Sequence, residues 1–199
     1  MNKKIGQLTI KIYEDNSIFI DLPEDEFTQI VMFAYYLDRI AHNLPKNKYY
    51  VFIEGMYNTS YDFVNPILSR EKGVKLEKMI EKTVFRTLKF CEDKEKSEFE
   101  AKGEYFKRSD DYFYMNTHFK PLLANSDFLE RRALDSILGY FDYLMLHLPK
   151  LRAMFLMFML NTMTGKYVEE ANKGITPPLN EVPQLGLNAA TDFFDLVNR

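Results

Sequence analysis

Asp38 and His42 stand four residues apart in a stretch that reads as helix, so a carboxylate and an imidazole share one face. That is the minimum geometry for an oriented general base or for half a metal site. A plainer role competes with it: His42 falls in the last turn of its helix, where a partly charged imidazole favours the carbonyl end of the dipole. The other two histidines, His118 and His147, have no acid placed comparably. Asp135 and Asp142, seven apart beside an apolar stripe, are expected to mark the border of their helix with solvent rather than to act as an acid/base pair.

Other chemistries find no residues to carry them. Neither G-x-x-x-x-G-K-[ST], G-x-G-x-x-G nor G-x-S-x-G occurs, and Thr164-Gly165-Lys166-Tyr167 lacks the upstream glycine and the hydroxyl of a phosphate loop. The residues three before the histidines are Arg39, Met115 and Leu144, so no Glu-x-x-His di-iron pattern exists. Cys91, the only cysteine, can form neither an intrachain disulfide nor a multi-cysteine zinc site. No cofactor and no metal are expected, and the sequence does not point to an enzyme.

Three features suggest contacts instead. Lys75, Lys78, Lys82, Arg86 and Lys89 fall on one helical arc of about 80° and about 21 Å in length. This is a candidate surface for an anion, nucleic acid or an acidic partner, weighed against an ordinary solvated face shared with Glu71, Glu77 and Glu81. Five of the ten methionines, Met145, Met154, Met157, Met159 and Met163, crowd two consecutive helices, suiting either core filling or an adaptable groove. Finally, Ile175 to Gly186 is rich in proline and is expected to run extended, delivering a short helix with Phe193, Phe194 and Val197 on its apolar face as a docking arm.

The elements that would position these residues follow from periodicity. Leu8, Ile10 and Ile12 against Thr9, Lys11 and Tyr13, then Ile18, Ile20 and Leu22 against Phe19 and Asp21, alternate on either side of Glu14-Asp15-Asn16-Ser17, which predicts a β-hairpin. Leu22-Pro23-Glu24-Asp25-Glu26 then predicts a helix start, with Phe27, Ile30, Val31, Ala34, Leu37 and Ala41 on its inner face. Lys48 to Gly55, β-branched and aromatic, predicts a third strand and hence a ββαβ-like front. A long amphipathic helix is expected from about Arg70 to Lys96, and a second hairpin near 104–116. Ser126 or Asp127 should cap a helix carrying Leu134, Ile137, Leu138, Phe141, Leu144, Met145 and Leu148, ended by Pro149. Ala153 to Leu160, apolar on every side, predicts a central helix too short in its apolar run to span a membrane.

The fold class is thus α+β: a hairpin, helix and strand followed by a mainly helical bundle, with one domain over 1–174 and an arm over 175–199. A chain of 199 residues with 46% hydrophobic residues and a net charge of -3 is globular and is not a uniformly basic nucleic-acid binder. The first residues show no secretory signal, so a cytoplasmic location is expected. Lysine, asparagine, isoleucine and the aromatics are favoured, as in AT-rich genomes, which hints at a phage or mobile element and a virion component. The functional expectation is a non-enzymatic structural, assembly or interaction protein, oligomeric or bound to a protein partner through its arm. The alternative is a nucleic-acid-binding or anti-defence protein using the basic face at 75–89.

Overall fold

A computed structural model describes residues 6–14, 17–68, 99–100, 105–107 and 116–197. The hairpin forms: β1 (Thr9–Ile12) and β2 (Ser17–Asp21) pair antiparallel with Ile10 opposite Ile20. Ile20 is fully buried while Lys11 and Asp21 are exposed, as alternation requires. Two short strands extend the sheet, β3 (Phe99–Glu100) and β4 (Tyr105–Lys107), giving the order β1-β2-β4-β3. β4 falls inside the expected span of the second hairpin, but its hairpin partner β3 lies upstream of that span, and residues 108–115 are outside the described residues. β4 takes β3 as its partner, and Asn116 already begins helix α3 (Asn116–Ala124).

Helix α1 (Glu26–Asn43) starts where Asp25 accepts a hydrogen bond from the Thr28 backbone N–H at 2.6 Å. Hydrogen bonds from Thr28 hold the Asp25 carboxyl below its ordinary value of 3.8, so the ionised cap stabilises the fold above that value. That contribution is lost as pH falls through the lower folded value. Asp25→Ala should cost about 1 kcal/mol at neutral pH in chemical denaturation, and much less in strong acid.

The expected third strand is instead the start of α2 (Lys46–Leu68), so the ββαβ-like front does not form. Pro45 sits just before the helix, and its carbonyl accepts from the N–H groups of Lys48 and Tyr49, both at 2.8 Å. Proline loses nothing at a helix start, where its absent N–H would be unpaired. Tyr49, Phe52, Ile53, Met56, Phe63 and Val64 are buried at helical spacing, while Val51, Glu54 and Tyr61 are exposed. An eight-residue aromatic run fits either period, and the longer window decides for the helix.

Helix α4 (Phe128–His147) opens with a reciprocal cap: Asp127 accepts from the Glu130 N–H, and Glu130 accepts from the Asp127 N–H, each at 2.9 Å. Lys48 on α2 also donates to Glu130, tying the two helices together. Every residue of the predicted stripe from Leu134 to Leu148 is buried. Pro149 follows, and α5 (Lys150–Asn172) crosses the centre with Ala153 to Leu160 buried at each position. Among the described residues no helix is long and apolar enough to cross a membrane.

The extended segment is shorter than expected. After Gly174, only Ile175 to Asn180 lacks helical structure, and α6 (Glu181–Val197) begins there with Pro183 in its first turn. Val182, Leu187 and Ala190 join the same hydrophobic core as α1, α2, α4 and α5. The segment thus folds back on its own chain. Gly186 lets the helix approach α5 closely, since a Cβ there would lie 2.8 Å from Met163 Cβ and 3.0 Å from the Met159 carbonyl oxygen. Gly186→Ala would gain up to about 1 kcal/mol of helix propensity. Overpacking against a fixed backbone costs about 1–3 kcal/mol, so a net destabilisation and a lowered Tm are expected.

Candidate functional site

Asp38 occupies the inner arc of α1 beside Leu37 and Ala41, and its side chain is 1% exposed. A carboxylate so placed needs partners. They come from far along the chain: the Tyr167 hydroxyl of α5 donates to Oδ1, and the Asn180 N–H donates to Oδ2 at 2.9 Å. Asn180 adopts φ +68°, a left-handed conformation that asparagine tolerates better than most residues. Burial raises the Asp38 carboxyl above its ordinary value, while the Asn180 N–H and His42 pull it down.

His42, one turn on, completes the cluster. Its Nδ1 lies 2.8 Å from the Asp38 backbone oxygen and 3.3 Å from Oδ1, and its Nε2 lies 2.6 Å from the Pro177 carbonyl oxygen. The edges of two rings enclose it, Tyr49 of α2 at 5.8 Å and Tyr167 at 5.9 Å between centroids. The Tyr49 hydroxyl is buried without a hydrogen-bond partner among the described residues. Burial, then the nearby Asp38 charge, pushes it well above the ordinary phenol value, so it remains a neutral phenol.

The pairing of Asp38 with His42 is therefore real, but both imidazole nitrogens are occupied by fixed oxygens of the protein. A general base needs a free lone pair within reach of a substrate proton. Here the arrangement instead braces the 175–180 turn against α1 and α5. Tyr49, Tyr167 and Asn180 carry no motif that would have singled them out, since the contacts to Asp38 span more than a hundred residues of chain. Pro177-Pro178 offered one signal: neither residue has an N–H, so the backbone at those two positions can enter hydrogen bonds only as an acceptor.

The remaining candidates divide plainly. Lys75, Lys78, Lys82, Arg86 and Lys89 lie outside the described residues, as does Cys91, and so do the side chains of His118, Phe193, Phe194 and Val197. Asp135 and Asp142 are not at the solvent border: each is 7% exposed, rotated inward on a helix whose neighbours cover it on several sides. His147 stacks on Tyr143, with ring centroids 4.1 Å apart, at the exposed end of α4. Met145, Met154, Met157, Met159 and Met163 are all buried, which is core filling in this chain.

Among the described residues no three of histidine, cysteine, aspartate and glutamate gather where they could hold a metal ion. A cleft of about 230 Å³ opens between α2 and α5, lined by Tyr50, Ile53, Glu54, Val168, Ala171 and Asn172. Its one carboxylate, Glu54, is on the exposed face of its helix.

The most exposed apolar groups described lie elsewhere. Phe128 and Leu129, at the start of α4, are 70% and 77% exposed. Arg132 lies over the Phe128 ring at 5.2 Å and reaches the Tyr13 carbonyl at 3.5 Å, which links this pair to the end of the edge strand β1. Tyr13 is itself 38% exposed.

No family model, no curated protein and no solved structure matches the chain.

Proposed function

We propose that this chain is a non-enzymatic structural or assembly protein that works through contacts and is oligomeric, with copies or a protein partner meeting at the Tyr13, Phe128 and Leu129 surface. The observation that carries the reading is the exposure of Phe128 and Leu129 side by side at a well-capped helix start. Burying such a pair is worth about 1.5–3 kcal/mol per side chain, enough to serve as the anchor of a contact. The occupied nitrogens of His42 support the non-enzymatic half of the reading, because they take the Asp38–His42 pair out of catalysis.

Light scattering on the purified chain tests it. A mass of two or more copies is expected, falling to that of a monomer in the double variant Phe128→Ser, Leu129→Ser. A monomer at high concentration for the unaltered chain overturns assembly through this surface.

A further inference from the structure

We propose that His42 is a protonation-dependent latch, which in its doubly protonated form fastens the 175–180 turn, and the start of α6 behind it, to α1. The geometry rests on acceptors alone. Nδ1 faces the Asp38 backbone oxygen at 2.8 Å and Oδ1 at 3.3 Å, and Nε2 faces the Pro177 oxygen at 2.6 Å. A carbonyl oxygen can only accept, so each ring nitrogen must donate. A ring with a single proton would set a lone pair against an oxygen on one side or the other.

None of the described groups facing the ring donates a hydrogen bond to either nitrogen, the unpartnered Tyr49 hydroxyl included. From α1 comes Asp38, from α2 the Tyr49 ring, from α5 the Tyr167 ring, and from the turn the Pro177 carbonyl. Two donors of the cluster, the Tyr167 hydroxyl and the Asn180 N–H, are both turned to the Asp38 carboxyl. With two prolines at 177 and 178, the turn has no N–H of its own at those positions to replace the histidine bond. The charge is shared across a buried, ring-lined site in which Asp38 is the counter-group and the side chain of His42 is 13% exposed.

The consequence is directional. Raising the pH removes one ring proton, and with it either the tie to α1 or the tie to Pro177. The turn and the first residues of α6 then open more often, while α4, which supplies none of the groups named around the ring, does not change.

Long-range ¹⁵N NMR on the intact chain reads the ring directly, with His118→Gln and His147→Gln used to assign the three histidines. Both His42 nitrogens should show protonated shifts while the turn is closed. Hydrogen-exchange protection of Asn180 and the first α6 amides should fall about tenfold or more as the ring titrates, the loss of one charge-assisted hydrogen bond. His42→Gln, which retains a single amide donor group, should start at the lower protection and lose the pH dependence. One unprotonated His42 nitrogen in the protected state overturns the latch, and so does protection of Asn180 that ignores pH. The ring measurement on the unaltered chain decides even if the variant does not fold.

Discussion

Phe33→Ala should lower the stability of the chain by about 3–5 kcal/mol, among the largest losses open to a single substitution in this core. Phe33 is fully buried at the meeting of α1 and α4, with its ring 5.5 Å from Tyr140 in an edge arrangement and 5.9 Å from Phe141. The loss has two parts, the apolar surface returned to a cavity and the ring contacts that Tyr140 and Phe141 no longer make. Tyr140 cannot simply tip into the space, because its hydroxyl donates to the Gln29 carbonyl at 2.8 Å. For a chain of this size each kcal/mol shifts Tm by about 2–4 °C, so a drop of roughly 10 °C is expected by calorimetry. Phe27→Ala on the same helix is the comparison. Phe27 is 40% exposed, and its change should be far smaller. Similar losses at the two positions would mean that α1 does not face α4 as described.

The ends of the helices were legible because their signals are local. Asp25 accepts from an N–H three residues on, Asp127 and Glu130 cap each other across the same spacing, and Pro149 stops one helix and opens the next. The central helix was legible from Ala153 to Leu160 because only a surrounded helix tolerates apolar residues on every side. Tyr49-Tyr50-Val51-Phe52-Ile53 misled for a physical reason. Strand propensity measures fit to a half-buried pleat, and the same residues fit a buried helix face once Met56, Phe63 and Val64 continue the pattern. Pro183 misled likewise, since proline argues against helix only beyond the first turn.

The site was half legible. Spacing placed Asp38 and His42 together, and a carboxylate at the centre of an apolar arc is itself a sign of buried pairing. What spacing could not carry was the identity of the partners. Tyr167 and Asn180 meet Asp38 only because α5 and the turn after it are packed on α1, and nothing local to either residue records that. The acids Asp135 and Asp142 show the converse. They stand one step off the apolar stripe of α4, and α4 is covered more widely than a single stripe implies.

Asp38→Ala should cost about 3–5 kcal/mol, as the removal of one member of a buried charged pair does. The Tyr167 hydroxyl and the Asn180 N–H lose their acceptor at once, and the His42 ring loses the carboxylate beside its Nδ1 while keeping both backbone oxygens. The first two are donors with no other described acceptor in the cluster, and each left buried costs about 1–3 kcal/mol. Asp38→Asn keeps the volume and one acceptor oxygen but turns an NH₂ toward one of the two donors, so it should lose less, about 1–3 kcal/mol. The pH dependence has a definite sign. Burial holds the Asp38 carboxyl above its ordinary value of 3.8, so the folded chain binds this proton more tightly than the unfolded one. The stability tied to that proton is fully present below 3.8 and fades as pH rises through the folded value. The gap between the unaltered chain and Asp38→Ala should therefore be widest in acid and narrow toward neutral pH, leaving the part owed to the lost hydrogen bonds. Urea unfolding of both chains across that range measures it. A gap that widens as pH rises would mean that Asp38 is held below, not above, its ordinary value, and that its charge is better compensated than its burial allows.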